Sequence, residues 1–478
     1  MNKYKQLLLN TGLFAVNAVA TKLITFFLIP LYTYYMSSGE YGVTDMAYTV
    51  INFAIPLATI CIAEAAIRFI IGDARRKNEY VVISVLITFL SIIVVALISP
   101  ILNLQVFGGL GSYQYLFIFL YACSAFMHLC GEIARSMGEV KLIPICAVIS
   151  SIITFIFAYF LIAQYKMSVV GYFISSTIGP LVAICIYMSV GGLAKAFGIG
   201  IIHLIKCTRK EIWNIVHPML RYAIPLMPDN LFWWMSNGIN RLFITGMLGI
   251  ASSGMFAVAS KIPSLLTTVY VVFQQAWQLS AYQESDDKEV GKFFSSVFCV
   301  LQMLCSTVCA ILSLLSPYLA SILLQGESYA AWPMISILLL SNLFGIFTSF
   351  YGTVYSTTMH TAFIMKTTMY GAIASVIFTP MLIPFFGTIG ACISLVLGQI
   401  LIFSMRVLDS GRYIRIEVGW HYLLPVLILL TVQAIMTTWQ ITHWFVVSAI
   451  CTLLIILIQL IRLFTVLPKV RVLGAQKR

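Results

Sequence analysis

Long, uninterrupted apolar runs alternate with short polar connections along the whole chain. Val81–Pro100 and Trp444–Phe464 are two of the clearest runs. Each has about the length that an α-helix needs to cross a hydrocarbon core of ~30 Å. The strands of a transmembrane β-barrel would instead alternate apolar and polar residues. The pattern therefore predicts an all-α polytopic membrane protein.

Windows of roughly 20 apolar residues predict about fourteen transmembrane helices. Their approximate spans are 11–35, 43–71, 80–103, 114–135, 141–163, 169–191, 220–247, 253–282, 291–317, 331–357, 363–384, 388–408, 419–439 and 444–466. The first apolar run contains Asn10 and Asn17 and continues to Tyr35. This favours a retained first helix over a cleaved signal peptide.

Composition excludes a soluble protein and gives the orientation. Only 9% of the residues are charged and 61% are hydrophobic, against roughly 25% charged residues in soluble domains. Cytoplasmic loops are enriched in Lys and Arg. With the N-terminus inside, 23 of the 28 basic residues are cytoplasmic and only Lys166 is external. The net charge of +12 is thus mainly a topology signal, which predicts two cytoplasmic termini and gives no reason to expect nucleic-acid binding.

A weak internal repeat suggests two lobes. Ser38–Val43 and Ile250–Met255 each open a helix at an offset of 212, and Pro56 and Pro263 follow inside those helices. Parallel repeats of this kind occur in several transporters. The predicted units are residues 1–212 with helices 1–6, residues 213–412 with helices 7–12, and residues 413–478 with two further helices and a cytoplasmic tail.

Three basic residues lie deep within predicted helices 1, 7 and 8, namely Lys22, Arg241 and Lys261. A charge in the bilayer costs at least ~2.5 kcal/mol, so such residues usually face a cavity or a partner. Lys supplies a point charge and Arg a bidentate fork for phosphate oxygens. We therefore expect a central cavity that binds an anion such as a diphosphate. Arg68 is a weaker candidate, because it could equally snorkel to the cytoplasmic interface.

Polar, aromatic and acidic side chains on these helices complete the candidate site. The expected substrate contacts are Asn237, Asn240, Gln275, Gln278 and Trp233, and the candidates for ion coupling are Asp229 and Glu64. Amides could instead bind neighbouring helices as packing groups, and the aromatic group could be interfacial. The eleven cysteines form no CxxC pair or Cys/His cluster, so neither a metal nor a cofactor is expected.

Two stretches of sequence carry a family resemblance. They comprise Leu220–Pro228, Trp233-Trp234 and Asn240-Arg241, then Gly254–Pro263 and Gln275-Ala276-Trp277. They resemble the polysaccharide repeat-unit flippases, of the O-antigen or capsule type, in the multidrug/oligosaccharidyl-lipid/polysaccharide exporter superfamily. The opening segment with Glu40-Tyr41-Gly42 and Ala66-Ile67-Arg68-Phe69 is also similar. The family usually has an Asp-Arg pair where this chain has Asn240-Arg241.

The resemblance implies a flippase of the bacterial plasma (inner) membrane and no catalytic residue. It would move an undecaprenyl-diphosphate-linked oligosaccharide by alternating access, for surface polysaccharide biosynthesis. Membrane lipids and other polysaccharide-assembly proteins of the membrane would be its partners. The alternatives are a cation-coupled multidrug exporter of the same superfamily and, with less support, a membrane glycan polymerase or ligase. Such an enzyme would be expected to carry a sizeable external catalytic loop, and the predicted external loops are short.

Overall fold

The computed structural model describes residues 26–283, 290–358, 360 and 362–476. Within these ranges the secondary structure is entirely helical, which confirms the predicted all-α class. The chain divides into two compact units, Met1–Gly254 and Met255–Arg478. The predicted boundaries of the two six-helix lobes stay a prediction.

The first unit contains ten α-helices and begins an eleventh within its described part. They are α1 over residues 26–35, α2 Ser38–Ala58, α3 Ile62–Gly72, α4 Lys77–Ile98, α5 Gln114–Ser136, α6 Leu142–Ala158, α7 Ser168–Ser189, α8 Leu193–Lys206, α9 Arg209–Ala223, α10 Met227–Leu248 and the start of α11 Ile250–Ala259. Short 3-10 segments occupy Ala74–Arg76, Ser99–Asn103, Gln105–Phe107, Leu110–Tyr113 and Ile224–Leu226, and a π-helical turn occupies Tyr159–Gln164.

The second unit continues with eight further α-helices in its described part. They are α12 Lys261–Gln283, α13 Val290–Leu314, α14 Ser316–Leu323, α15 Pro333–Thr357, α16 Ala362–Phe386, α17 Thr388–Ser410, α18 Trp420–Thr438 and α19 Trp444–Gln476. A 3-10 segment covers Gly326–Ala331. The most buried helix is α15, which packs against α12, α17 and α18.

Ten helices of the described residues are long and apolar enough to cross a membrane, or twelve if each of two bent pairs forms one span. These twelve correspond to twelve of the predicted spans. The first predicted span lies mostly outside the described residues. The seventh corresponds to α10, which is less apolar because it carries Asp229, Arg241 and three asparagines. The exact number of spans and the side of the termini stay predictions.

The two bent pairs coincide with the two prolines of the predicted repeat. α2 and α3 meet at 49°, and α11 and α12 meet at 42°. Pro56 lies in the last turn of α2, where it removes a backbone donor from the helix. Ile60 and Cys61 then adopt left-handed backbone angles, with φ of 56° and 51°. A β-branched residue in this region is strained, and such strain concentrates at functional segments.

The connection between the predicted spans 169–191 and 220–247 contains two helices, α8 and α9, where the apolar pattern predicts none. Apolar Ile215, Met219 and Ala223 recur every four residues and form the buried face of α9. Thr208 and Glu211 close a capping box at its start, and the Thr208 amide donates to the Glu211 carboxylate at 2.7 Å. Such caps satisfy the free amides of a helix N-terminus. α8 likewise buries Leu193, Ala196 and Gly200, so these two connector helices, α8 and α9, pack as amphipathic helices.

Candidate functional site

The polar stripe predicted on α10 lies against α2. The indole Nε1 of Trp234 donates to the carbonyl of Thr49 at 2.9 Å, and its ring centroid lies 4.6 Å from that of Phe53. One turn towards the start of α10, the Asn230 amide donates to the sulfur of Cys61 at 3.5 Å. The Cys61 contact brings α10 to the strained bend between α2 and α3. Packing along α2 thus orients this face of α10.

An ion pair completes the α2–α10 contact. Arg241 Nε lies 2.5 Å from Asp45 Oδ2, and the two side chains are only 21% and 10% exposed. Asp45, Thr49 and Phe53 recur every four residues, a spacing that places them on one face of a helix. The acids expected near the cations are Asp229 and Glu64, and Asp45 is not among them. The structure shows that Asp45 is an acid that pairs with Arg241.

Tyrosine rings flank the same part of α2. Tyr41 and Tyr48 lie four residues before and three residues after Asp45, which places all three on neighbouring positions of the helix surface. The ring of Tyr172 lies 4.9 Å from that of Tyr32 and 6.2 Å from that of Tyr48. Hydroxyl-bearing rings of this kind offer both stacking faces and hydrogen-bonding groups. The ion pair therefore stands beside an aromatic cluster from α1, α2 and α7.

Two glycines of the predicted repeat allow α2 and α11 to cross closely. A Cβ on Gly42 would overlap the carbonyl oxygen of Ile250, and a Cβ on Gly254 would overlap that of Ser38. Gly42 and Gly254 are 212 residues apart, as are Ser38 and Ile250. The two contacts thus join positions that the predicted repeat aligns. Glycine is required at both positions because the partner atoms belong to the backbone.

The other predicted site residues have different environments. Asn240 is completely buried, Trp233 is 62% exposed, and Lys261 is half-buried at the start of α12. Arg68 and Asp229 are exposed, and Glu64 is half-buried. Lys22 and the side chains of Asn237, Gln275 and Gln278 lie outside the described part of the chain. A common cavity for Lys22, Arg241 and Lys261 therefore stays a prediction.

Arg406 and Arg462 are buried among helices, although the charge pattern places both among the cytoplasmic basic residues. Arg406 Nη1 donates to the carbonyl of Thr348 at 2.9 Å, and its Nε donates to Thr367 at 3.0 Å. Arg462 donates to Gln302 and lies 5.5 Å above the Tyr422 ring. These partners are neutral, and charge patterns in a sequence do not reveal neutral partners.

The described residues contain no group of three or more metal-ligating side chains. On α5, Arg135 Nη1 lies 3.2 Å from the Glu132 carboxylate, three residues earlier in the chain. Buried ionisable groups in membrane helices commonly mark a transport pathway rather than a catalytic centre. The many apolar spans of the described residues are those of a multi-pass membrane protein.

The sequence model of the family described as "Polysaccharide biosynthesis protein" matches residues 7–278, more than half of the chain. The chain belongs to this family, which confirms the resemblance found in the sequence. Among curated protein sequences, none matches the chain.

Solved structures establish the fold. A lipid II flippase, MurJ, in an inward closed conformation, is similar with a TM-score of 0.69 and 15% identity, covering 96% of this chain and 99% of its own. An inward-facing multidrug resistance MATE transporter of the MOP superfamily is similar with a TM-score of 0.66 and 13% identity, covering 84% of this chain and 98% of its own. A mutant of the Vibrio cholerae MATE transporter VcmN is similar with a TM-score of 0.58 and 13% identity, covering 85% of this chain and 96% of its own. The chain therefore shares the fold of these flippase and transporter structures.

Proposed function

We propose that the protein flips an undecaprenyl-diphosphate-linked oligosaccharide repeat unit across the bacterial plasma membrane, for surface polysaccharide biosynthesis. The family match over residues 7–278 carries this proposal, since it assigns the chain to polysaccharide biosynthesis. The fold, which is that of a lipid flippase and of multidrug transporters, supports a transport step within that process.

The intramembrane cations bind the diphosphate in this proposal. The main candidates for this contact are Lys22, Arg241 and Lys261, and Arg68 is a secondary candidate. Cations in a low-dielectric site bind phosphate oxygens strongly. Arg241 already holds the carboxylate of Asp45 at 2.5 Å. A phosphate oxygen can replace this carboxylate on the guanidinium without leaving the cation unpaired. The substrate thereby exchanges with Asp45, and the α2–α10 contact loosens as it binds.

The remaining side chains contact the sugars. Asn240 and Trp233 lie on α10, and we assign the same role to Asn237, Gln275 and Gln278. Amides match sugar hydroxyls with both donors and acceptors, and an exposed indole offers a stacking face. Alternating access moves the headgroup, while the prenyl tail stays in the lipid. Asp229 and Glu64 remain candidates for ion coupling, and the other polysaccharide-assembly proteins of the membrane remain candidate partners.

Depletion of the protein in its own cells tests this function. Lipid-linked oligosaccharides are extracted and analysed by mass spectrometry, and one diphosphate-linked species is expected to accumulate on the cytoplasmic side. Rescue with Arg241→Ala plus Lys261→Ala should fail, whereas Arg412→Ala should rescue, because Arg412 is 79% exposed and pairs only at the surface. Normal lipid-linked oligosaccharide levels with the double variant would show that these cations do not bind the substrate.

Export of cationic drugs is a second candidate function. It is favoured by the likeness to multidrug transporters and by a carboxylate, Asp45, buried in the membrane, since cationic compounds need an acidic partner. Drug susceptibility of the depleted strain separates the two functions. Increased susceptibility with unchanged lipid-linked oligosaccharides would support the exporter and would refute the flippase.

A further inference from the structure

The connector helix α8 packs against the first turns of a membrane span. A Cβ on Gly200 would overlap the backbone carbonyl oxygen of Asn78 and the side chain of Val82, and His203 Nδ1 lies 3.2 Å from Glu79 Oε1. These partners belong to the first two turns of α4, which is long and apolar enough to cross a membrane. The end of such a span reaches the boundary between hydrocarbon and headgroups. The contacts therefore hold α8 at that boundary.

The side of α8 that is turned away from α4 carries an apolar stripe. The stripe consists of exposed residues at three- or four-residue steps, namely Ala194, Gly198, Ile202 and Ile205. This spacing keeps them on one side of the helix. The two isoleucines are 56% and 78% exposed. An exposed apolar stripe on a helix that lies at the membrane boundary is the feature by which interfacial helices enter the edge of the hydrocarbon.

A basic row runs beside the apolar stripe. Lys195 and Lys206 are eleven residues apart, which is about three helical turns and returns them to the same side of α8. Each lysine directly follows a residue of the stripe in the chain. Arg209 and Lys210 continue the positive charge at the start of α9, and all four basic residues are exposed. Residues 193–210 contain no Asp or Glu, so the row is uniformly positive.

The two rows together specify the chemistry of the partner. Water would leave the exposed isoleucines uncovered, and an uncharged lipid would leave the basic row without a counter-charge. A leaflet that contains anionic phospholipids satisfies both rows, because its acyl chains cover the apolar stripe and its phosphates face the lysines. Each Lys or Arg close to an anionic membrane surface strengthens the attraction by about fivefold. The charge and the apolar stripe thus select the same partner.

We propose that α8 lies in the membrane interface and binds the headgroups of anionic phospholipids through Lys195 and Lys206, with Ile202 and Ile205 in the edge of the hydrocarbon. Because α8 and α9 connect the predicted helices 6 and 7, the bound lipids attach this connection to one leaflet. The predicted orientation makes it the cytoplasmic leaflet. The surface contains none of the candidate transport residues, so the inference does not depend on the proposed function.

Photo-crosslinking in vesicles of known composition tests this surface. A benzoylphenylalanine replaces Ile205 in the full chain, and a second protein carries it at Leu453, a control on α19 that is 67% exposed. Each protein is reconstituted with equal amounts of phosphatidylglycerol and phosphatidylethanolamine, and after irradiation the lipid adducts are identified by mass spectrometry. We expect a several-fold excess of phosphatidylglycerol adducts at position 205 and nearly equal amounts of the two adducts at position 453. The same ratio at both positions, or no lipid adduct at position 205, would overturn the proposal.

Neutralisation of the basic row gives an independent readout. Lys195→Gln plus Lys206→Gln should remove most of the phosphatidylglycerol excess at Ile205, since each charge contributes about fivefold. The matched control, Arg412→Gln plus Arg415→Gln, removes the same charge from exposed positions of the second unit and should keep the excess. An equal loss with both pairs would show an effect of net charge alone and would contradict binding at α8.

Irradiation of the protein with benzoylphenylalanine at position 205 in cells separates this partner from others. Anionic phospholipid adducts are expected there too. A crosslinked protein, or polyprenyl-diphosphate adducts in place of phospholipids, would assign the surface to a different partner and overturn the proposal.

Discussion

The pair of Asp45 and Arg241 gives a direct energetic test of the candidate site. Asp45→Asn keeps the shape of the side chain, and Arg241→Gln keeps a shorter polar side chain. Each variant leaves the partner charge unpaired. Exposed ion pairs contribute about 0–1 kcal/mol, whereas removal of one partner from a buried pair costs about 3–5 kcal/mol. Both side chains are mostly but not fully buried, at 10% and 21% exposure. We therefore expect each single variant to lose about 2–3 kcal/mol, between these two ranges.

The assay is a double-mutant cycle of unfolding in detergent micelles. The double variant contains neither charge, so its loss of stability should be no greater than that of the worse single variant. The coupling energy should reach about 2 kcal/mol, within the range for residues in direct contact. Additive losses would show that the 2.5 Å contact carries no net energy and would refute the reasoning. In cells, Asp45→Asn should retain more export than Arg241→Gln, because it keeps the cation for phosphate.

Three further variants probe the surrounding packing. Gly254→Leu should abolish export, because the new side chain would meet backbone atoms of α2. The control Gly198→Leu places its side chain in open space and should have no effect. Normal export by both variants would contradict a required close crossing of α2 and α11. Trp234→Phe should cost about 0.5–1.5 kcal/mol, the usual value of a hydrogen bond, through the bond to Thr49; unchanged unfolding would refute that role. Gln433→Leu should lower the free energy of unfolding by about 1–3 kcal/mol. The Gln433 amide nitrogen lies within hydrogen-bonding distance of three acceptors on α13 and α19. A more stable variant would show that these bonds are dispensable.

The features that the sequence predicted are those that depend on local pattern. Apolar length identifies the spans without reference to neighbours. The prolines at 56 and 263 lie within the two bent pairs. Pro180, Pro380 and Pro425 lie inside single spans, so a proline alone does not identify a bend. Family motifs pointed to the predicted helices 7 and 8 and to Arg241. All of these signals reside in short stretches of chain.

Features that depend on packing between helices were not predictable. The partner of Arg241 is Asp45 because the register of α2 against α10 brings them together, although almost two hundred residues separate them in the chain. The burial of Arg406 depends on hydroxyl and carbonyl groups of α15 and α16, and neither type of group stands out in a sequence. The connector helices were missed because their buried faces are short and their charges resemble a cytoplasmic loop.

The most direct test of the proposed function is to measure transbilayer movement of the substrate in proteoliposomes. These vesicles contain only the purified protein and its lipid-linked oligosaccharide. The accessible fraction of the sugar is measured with a glycan-cleaving enzyme that cannot enter the vesicles. The proposal predicts that the enzyme reaches sugars from both leaflets with the unaltered protein, and only the outer leaflet with Arg241→Ala plus Lys261→Ala. Access to the outer leaflet alone with the unaltered protein, at any membrane potential or ion gradient, would contradict the flippase function.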